Sequence, residues 1–439
     1  MTPTVSIIVP CYNENATIRP LLESILGQTY PLDRLEVVIS DGLSVDGTRN
    51  TIAAFRADHP QLKIQVVDNW ARTIPSGLNR AIDAACGDIL VRLDAHSMPH
   101  PQYVERCVGA LEGGLGANVG GVWEVRPGAK TWIAGAISVA AAHPLGVGDA
   151  MYRLSPRAGA VDTVPFGSFR RDFIATIGKF DERLLSNEDY EFNTRVRQSG
   201  GTVWLDPEIK SVYIARPTLD SLASQYWRYG FWKMRMLQRY PETLRWRQAL
   251  PPLFVVSLAA LGLASLWYQL PRYLLAAELI LYFVVLILSS LRTAIKQKSA
   301  SLILGLPLAI ASMHLAWGGG FLWSLITSPA QKFMTESRPP FRLRPGEQRS
   351  ILLIGDLIAS IGALFASVYV WYQFSLYRLL QTGITLARAR RLIQVDVPLW
   401  FYFLPVVWLL LMVDLYDPHA SANWRKTVRG ILIAAFIGI

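Results

Sequence analysis

Asp94 and His96 stand two residues apart behind the run Asp88-Ile-Leu-Val-Arg-Leu, so both side chains can face one ion. A carboxylate with an imidazole suits Mn²⁺ or Mg²⁺ held mainly by a diphosphate. Such triplets are also common by chance, as ordinary turn chemistry. Asp41, followed by Gly42 where the backbone must turn, is placed to accept a hydrogen bond from a base N–H. Glu188 and Asp189 follow Ser186, a candidate cap, at the start of a helical pattern where the helix dipole favours an ionised carboxylate. That position suits a general base and equally suits ordinary helix-end charge. A group that reads a base, a metal that neutralises a diphosphate and a carboxylate that deprotonates a hydroxyl are the parts needed for group transfer from a nucleoside diphosphate. Gly114, Gly116 and Gly120 do not form Gly-x-Gly-x-x-Gly, so a dinucleotide enzyme is disfavoured.

The elements that must position these groups are legible in the first hundred residues. Runs rich in Val and Ile at 5–9, 35–40, 63–67 and 88–93 read as strands, and 18–27, 48–58 and 75–85 carry a helical period. Strands alternating with helices predict an α/β fold, a mainly parallel sheet covered on both faces. Ligands of such sheets bind beyond the carboxyl ends of the strands, which is where Asp41, Asp94 and His96 fall. Residues 120–220 are less regular and contain a helix at 188–199 and a strand at 202–205. Residues 1–221 are expected to form one catalytic domain.

Segment 222–250 carries Arg228, Lys233, Arg235, Arg239, Arg245 and Arg247 against one acid, Glu242, with five aromatic residues in 226–232. It reads as an amphipathic segment at a membrane surface, with aromatics in the interface and basic groups on phosphates, or as a solvated basic helix. The chain is 439 residues long with 51% hydrophobic and 17% charged residues, too apolar for one soluble domain. Its net charge of +10 is uneven: residues 1–250 hold 27 basic and 26 acidic side chains, residues 251–439 hold 16 and 7. A nucleic-acid binder would carry the excess on its folded domain; here it lies between apolar runs. Residues 251–270 have no charge, 273–291 carry only Glu278, and 299–331 have none, so 251–331 is expected to be a membrane block. A basic linker at 332–350 precedes a second block, 351–439, with apolar runs at 351–377 and 397–413. The terminal run 430–439 is too short to span, which predicts that the natural polypeptide continues.

The N-terminus has no signal-peptide pattern, and Cys11, Cys86 and Cys107 are an odd set without metal spacing, read as reduced core thiols. The catalytic domain is therefore expected in the cytoplasm on a multi-pass inner-membrane protein. Three full spans before Lys332 would put the basic linker outside, against the positive-inside rule. Either 299–331 is re-entrant, broken at Pro307 and Gly318-Gly319-Gly320, or an earlier segment lies on the surface.

Seven motifs in order, Ser6-Ile-Ile-Val-Pro-Cys-Tyr-Asn-Glu14, Asp41-Gly42, Ser76-Gly-Leu-Asn-Arg-Ala-Ile82, Asp94-Ala-His96, Gly178-Lys-Phe-Asp-Glu182, Asn187-Glu-Asp-Tyr-Glu191 and Gln225-Tyr-Trp-Arg-Tyr-Gly230, resemble a family 2 inverting glycosyltransferase of GT-A fold. The Asp-Ala-His, Asn-Glu-Asp-Tyr-Glu and Gln-Tyr-x-Arg-Tyr-Gly runs are most similar to the succinoglycan-biosynthesis glucosyltransferase group, which adds one sugar to a polyprenyl-diphosphate-linked oligosaccharide. The resemblance implies that Pro10, Tyr12 and Glu14 line a nucleoside pocket, Asp41 binds uracil and Arg72 touches the diphosphate. It gives Asp94 and His96 the metal, with Asp94 also on the nucleotide-sugar, and makes Asp189 the general base with Glu188 helping. Gln225, Arg228 and Tyr229 would hold diphosphate or acceptor, and Tyr229 in place of the Trp of processive synthases implies single-sugar transfer. The implied cofactor is Mn²⁺ or Mg²⁺; the implied partners are a UDP-sugar, a polyprenyl-linked glycan, the membrane and other polysaccharide-assembly enzymes, with no nucleic acid.

Gly355-Asp356, Asp414-Leu-Tyr-Asp-Pro418 and the basic stretch 425–429 resemble the N-terminal membrane segment of a polyprenyl-phosphate sugar phosphotransferase, without its catalytic part. Transfer directly to polyprenyl phosphate, a silent scaffold and a transporter using Glu278, Asp356 or Asp414 are the rival readings.

Overall fold

The computed structural model describes residues 2–154, 157–327, 356, 363, 367–383 and 385–386. The chain divides into two units, Met1–Arg338 and Pro339–Ile439. In the second, residues 367–381 are helical. The basic linker, the terminal run and the residues of the second resemblance, Asp356 excepted, lie outside the described residues, as does most of the second apolar block.

The first unit is built on β1 (Val5–Cys11), β2 (Leu35–Asp41), β3 (Lys63–Asp68) and β4 (Ile89–Arg92), which pair in parallel in the order β3-β2-β1-β4. Alternation along the strands divides the core. Ile7, Val9, Val37 and Ile39 face helices α1 (Ile18–Leu26) and α2 (Thr48–Asp58), while Ile8, Val38 and Leu90 face α3 (Ile74–Ala84). A further helix, α4 (Tyr103–Glu112), adds Tyr103, Val104 and Cys107 to the first layer.

The sheet beyond β4 is mixed, a correction to the mainly parallel expectation. It adds β5 (Met98–Pro99), β6 (Asn118–Arg126), β7 (Gly159–Ala160), β8 (Ser168–Arg170) and β9 (Val203–Ile214). β8 runs antiparallel between β4 and β6, and β9 pairs parallel with β6 and antiparallel with β5 and β7. The strand expected at 202–205 continues to Ile214 because Asp206 and Pro207, which break the apolar pattern, fall where the β6–β9 register shifts between Gly120 and Val122.

Two helices of the catalytic part, α5 (Trp132–Ala140) and, after α6 (Glu188–Gln198), α7 (Leu219–Leu237), join it to three long apolar helices. These are α8 (Trp246–Ala264), α9 (Gln269–Gln297) and α10 (Leu302–Thr327), each long and apolar enough to cross a membrane. Ile137 and Ala140 of α5 and Leu222 and Tyr226 of α7 share one apolar cluster with Leu306, Ala309, Ile310 and Met313 of α10. Within α10 neither Pro307 nor the glycine triplet breaks the helix, which is continuous over 26 residues. The triplet is a contact surface: a Cβ at Gly320 would stand 2.1 Å from the Trp227 carbonyl oxygen, one at Gly318 2.5 Å from that of Pro251, and one at Gly230 2.0 Å from that of Trp317.

Part of the basic segment packs on the catalytic domain. Arg239 pairs with Asp181 and Arg245 with Asp162, and Lys233 is buried over the Tyr190 ring. Arg239 and Arg245 thereby tie the segment to the catalytic domain, and the Lys233 amine is shut in rather than turned outward. Glu278, in the apolar helix α9, turns one oxygen to Ser257 of α8 at 2.5 Å. Cys11 and Cys107 are buried free thiols, whereas Cys86 is exposed.

Candidate active site

Every candidate from the first half of the chain lies at the carboxyl end of a parallel strand. Tyr12 follows β1 and is exposed; the Arg72 guanidinium stands 5.8 Å from its ring centroid. A Cβ at Gly42 would come within 2.9 Å of the same ring, so glycine is required where β2 turns beneath Tyr12. Pro10 is buried in β1, with its Cβ 3.1 Å from where a Cβ on Gly77 of α3 would stand. Asp41 is fully buried at the end of β2. Ser44 donates to both its oxygens, from Oγ at 2.5 Å and N at 3.0 Å. Arg49 bridges Asp41 and Asp68. Both oxygens of Asp41 are therefore already held from within the protein.

The Glu14 carboxylate lies against His96 of the candidate metal pair. Oε1 is 3.1 Å from His96 Nδ1, and Thr17 Oγ1 donates to Oε2. Burial would raise the Glu14 pKa, but His96 and Thr17 outweigh it and hold the carboxyl below its usual range. The hydrogen bond to Glu14 in turn raises the His96 pKa against desolvation, and Asp94 adds to this. An Nδ1–H directed at Glu14 leaves Nε2 as the ligand nitrogen of the neutral imidazole. Among the described residues, no three His, Cys, Asp or Glu side chains form a metal cage. Asp94 and His96 fit a divalent ion as a minimal pair, the remaining ligands being diphosphate oxygens and water.

Arg92 is the residue that sequence reading passed over. It is buried at the end of β4, with Nη2 2.8 Å from Glu188 Oε1 and 3.2 Å from Asp94 Oδ1. Burial works against its charge, but Asp94, Glu188 and Asp189 raise its pKa above the ordinary arginine value. Glu188 is buried beside it, and Asp189, next on α6, is partly buried. The Asp189 pKa is raised to about 6, first by burial, then by the like charge of Glu188, against the pull of Arg92. Asp94 feels the same cluster, so the metal pair and the helix start form one electrostatic unit.

Gln225 of α7 is buried and donates from Nε2 to Tyr213 Oη at 3.0 Å and Tyr229 Oη at 2.8 Å, while Arg216 Nε donates to its Oε1 at 3.3 Å. Arg216 is close enough to lower the His96 pKa, so it stands between the metal pair and Gln225. Arg228, one turn along the same helix, is exposed and makes no side-chain hydrogen bond or ion pair among the described residues.

Residues 6–178 match the family described as glycosyl transferase family 2. The succinoglycan biosynthesis protein ExoA of Rhizobium meliloti is 30% identical over 333 residues, covering 74% of this chain and 96% of that protein. This chain belongs to glycosyl transferase family 2. The family 2 enzyme is also 25% identical over 329 residues to a dolichyl N-acetyl-alpha-D-glucosaminyl phosphate 3-beta-D-2,3-diacetamido-2,3-dideoxy-beta-D-glucuronosyltransferase of Methanococcus voltae, covering 73% of this chain and 97% of that one. Its fold is that of a mannosyltransferase from Pyrobaculum calidifontis solved with GDP-Man and Mn²⁺, with a TM-score of 0.53 at 21% identity over 74% of this chain and 88% of that one. The transferase is thus a GT-A domain, Rossmann-like at its amino end, followed by helices that include three of membrane-spanning length.

Proposed function

We propose that this glycosyltransferase is a membrane-bound, inverting, single-sugar enzyme that moves a hexose, glucose from UDP-glucose, onto a polyprenyl-diphosphate-linked oligosaccharide in exopolysaccharide assembly. It would work at the cytoplasmic face of the inner membrane. The observation that carries this is the placement of Asp189 at the start of α6, beside Glu188, whose partner Arg92 also reaches Asp94, with burial and Glu188 raising the Asp189 pKa to about 6. A base of that pKa is ionised at neutral pH and basic enough to take a hydroxyl proton as the oxygen attacks.

In this reading each residue has a part. Asp41 accepts from the base, and Tyr12, Pro10 and Arg72 enclose the nucleoside and diphosphate. Asp94 and His96 would hold the divalent ion, with Glu14 orienting the imidazole; when bound, the ion neutralises charge on the departing diphosphate. Asp189 takes the proton of the acceptor hydroxyl, whose oxygen bonds the anomeric carbon as the bond to the UDP oxygen breaks on the opposite face. Glu188, tied to Arg92, sets the field at Asp189. Gln225 and Tyr229 belong to the acceptor side, and Arg228 is exposed for a headgroup beyond it.

The relatives support the acceptor class. One is named for succinoglycan biosynthesis and another for transfer to a dolichyl-phosphate-linked sugar. The solved neighbour holds GDP-Man and Mn²⁺, so GDP-sugars belong in the test beside UDP-sugars. Membranes containing the protein are given radiolabelled UDP- and GDP-sugars and lipid-linked acceptors, with Mn²⁺, EDTA and Asp189→Asn controls. Asp189-dependent label in a multi-sugar lipid supports the proposal. Label in a phosphomonoester lipid would show direct transfer to polyprenyl phosphate instead, and no label with any donor would overturn both.

A further inference from the structure

A set of aromatic rings encloses Arg153 at the junction of the catalytic domain and the membrane-spanning helices. Its guanidinium carbon is 4.9 Å from the Trp123 ring centroid and 5.5 Å from those of Tyr152 and Tyr213. Trp123 and Tyr213 stack with centroids 4.3 Å apart, and Tyr152 meets Trp123 edge-on at 5.0 Å. Tyr152 is near enough to Asp189 to feel its charge. On the other side, Tyr226 belongs to the apolar cluster that includes Leu306, Ile310 and Met313 of α10.

Ring faces attract this cation without satisfying its N–H groups. Its hydrogen bonds from Nη1 to the Ala141 carbonyl at 3.4 Å and to Tyr226 Oη at 3.5 Å are long, and its further side-chain partner is the Tyr152 phenol. Nε is shut off from water and has no hydrogen-bond partner among the described residues. Arg92 and Arg245 also have one such nitrogen each, but they and Arg195 have a carboxylate oxygen within 2.8 Å, on Glu188, Asp162 and Glu191. No carboxylate among the described residues pairs with Arg153. Arg153 is partly exposed, but a guanidinium ringed by aromatic faces with no anion beside it is disfavoured, and its planar fork matches two oxygens of a phosphate. The surrounding phenols are prepared for the same task. Tyr213 and Tyr229 accept from Gln225 Nε2 and so retain their own O–H protons to donate.

We propose that Arg153, walled by Trp123, Tyr152 and Tyr213 and flanked by the Tyr213 and Tyr229 hydroxyls, is a diphosphate-binding subsite between Asp189 and the membrane helices. Its place on the membrane side points to the diphosphate of the lipid-linked acceptor; the diphosphate of the nucleotide donor is the other source of the same chemistry. The assignment of a source rests on the transferase reading above, whereas the subsite itself does not.

The test uses the full chain in detergent or lipid nanodiscs, with farnesyl diphosphate, farnesol and UDP as calorimetric probes. Wild type should bind farnesyl diphosphate at least about 10-fold tighter than farnesol. Arg153→Met should lose at least about 10-fold in farnesyl diphosphate affinity and Arg153→Lys about 3-fold, with UDP affinity unchanged. Loss confined to UDP would keep the diphosphate subsite and assign it to the donor. Unchanged affinity for both probes in Arg153→Met would overturn the proposal. If that variant does not fold, equal binding of farnesol and farnesyl diphosphate by wild type overturns it alone. Arg153-dependent binding of farnesyl diphosphate with no nucleotide or nucleotide-sugar bound at all would leave the subsite standing while the nucleotide-sugar reading fails.

Discussion

Arg92 and Glu188 form a buried ion pair, Nη2 to Oε1 2.8 Å, with side chains 6% and 7% exposed. The same nitrogen reaches Asp94 at 3.2 Å. One guanidinium thus fixes the start of α6, where Asp189 sits, relative to the loop that carries Asp94 and His96. A shift of either element changes the other's electrostatics.

The first consequence is a pH dependence. Asp189 must be ionised to accept a proton, and its pKa is raised to about 6 by burial and by Glu188. Transfer should therefore be full above that pH and fall about tenfold per unit below it. Glu188→Gln removes a like charge and releases Arg92 toward Asp189, so the acid limb should move to lower pH. Rates measured across the acid range in both proteins check this; an unmoved limb would separate Glu188 from the base.

Asp189→Asn keeps the shape of the side chain and cannot accept the proton. UDP binding should be unchanged and turnover should drop by at least about 10². Single-turnover label transfer, with calorimetry of UDP on the same preparation, separates the two. Retained turnover would remove Asp189 as the base.

The metal pair gives a graded expectation. His96→Ala should raise the Mn²⁺ concentration needed for half-maximal transfer by about 10- to 100-fold, and Glu14→Gln should raise it less, because it loosens only the imidazole's orientation. Metal titrations of activity measure both. An unchanged titration for His96→Ala would sink its ligand role.

Much of this arrangement is legible in the sequence where local chemistry and periodicity agree. β1 to β4, α2 and the start of α6 fall within two residues of where Val and Ile runs, helical period and acidic helix starts put them. What escapes is long-range pairing. Arg92 sits inside an apolar strand, and a charge there was the available signal for a buried partner; which partner depends on a contact 96 residues away. The excess of basic residues after position 222 reads as membrane-facing because sequence alone cannot show that Asp162 and Asp181 take up Arg245 and Arg239. The glycine triplet likewise reads as a break when its neighbours are unknown.

Those glycines carry a stability prediction. A Cβ at Gly320 would stand 2.1 Å from the Trp227 carbonyl oxygen, a backbone atom that cannot rotate away. Gly320→Ala must push α7 and α10 apart and should cost about 1 to 3 kcal/mol, seen as a lower thermal midpoint in detergent. Gly262→Ala, where a Cβ meets nothing within 4 Å, is the control and should hold or raise the midpoint. Equal midpoints for the two variants would show that the helices do not approach this closely.

Lys233 gives the last expectation, and its sign is unusual for a lysine. It is 4% exposed, with Nζ 4.0 Å from the Tyr190 ring centroid and 3.3 Å from the Thr243 carbonyl oxygen. Burial, then the like charges of Arg245 and Arg197, pull its pKa down to about 7, with Asp162 and Asp149 opposing. The folded state therefore resists a proton that the unfolded chain holds up to about pH 10.4. Stability is lost as pH falls from that value to about 7, and the penalty is constant below. Lys233→Met should stabilise the protein most at and below neutral pH, with the gain fading as pH rises. The net gain should be about 1 to 3 kcal/mol, after allowance for the lost ring and Thr243 contacts. Thermal midpoints of both proteins at about pH 6.5 and about pH 9.5 decide it. A gain of the same size at both would mean that Lys233 is already charged in the folded protein and that packing alone accounts for the change.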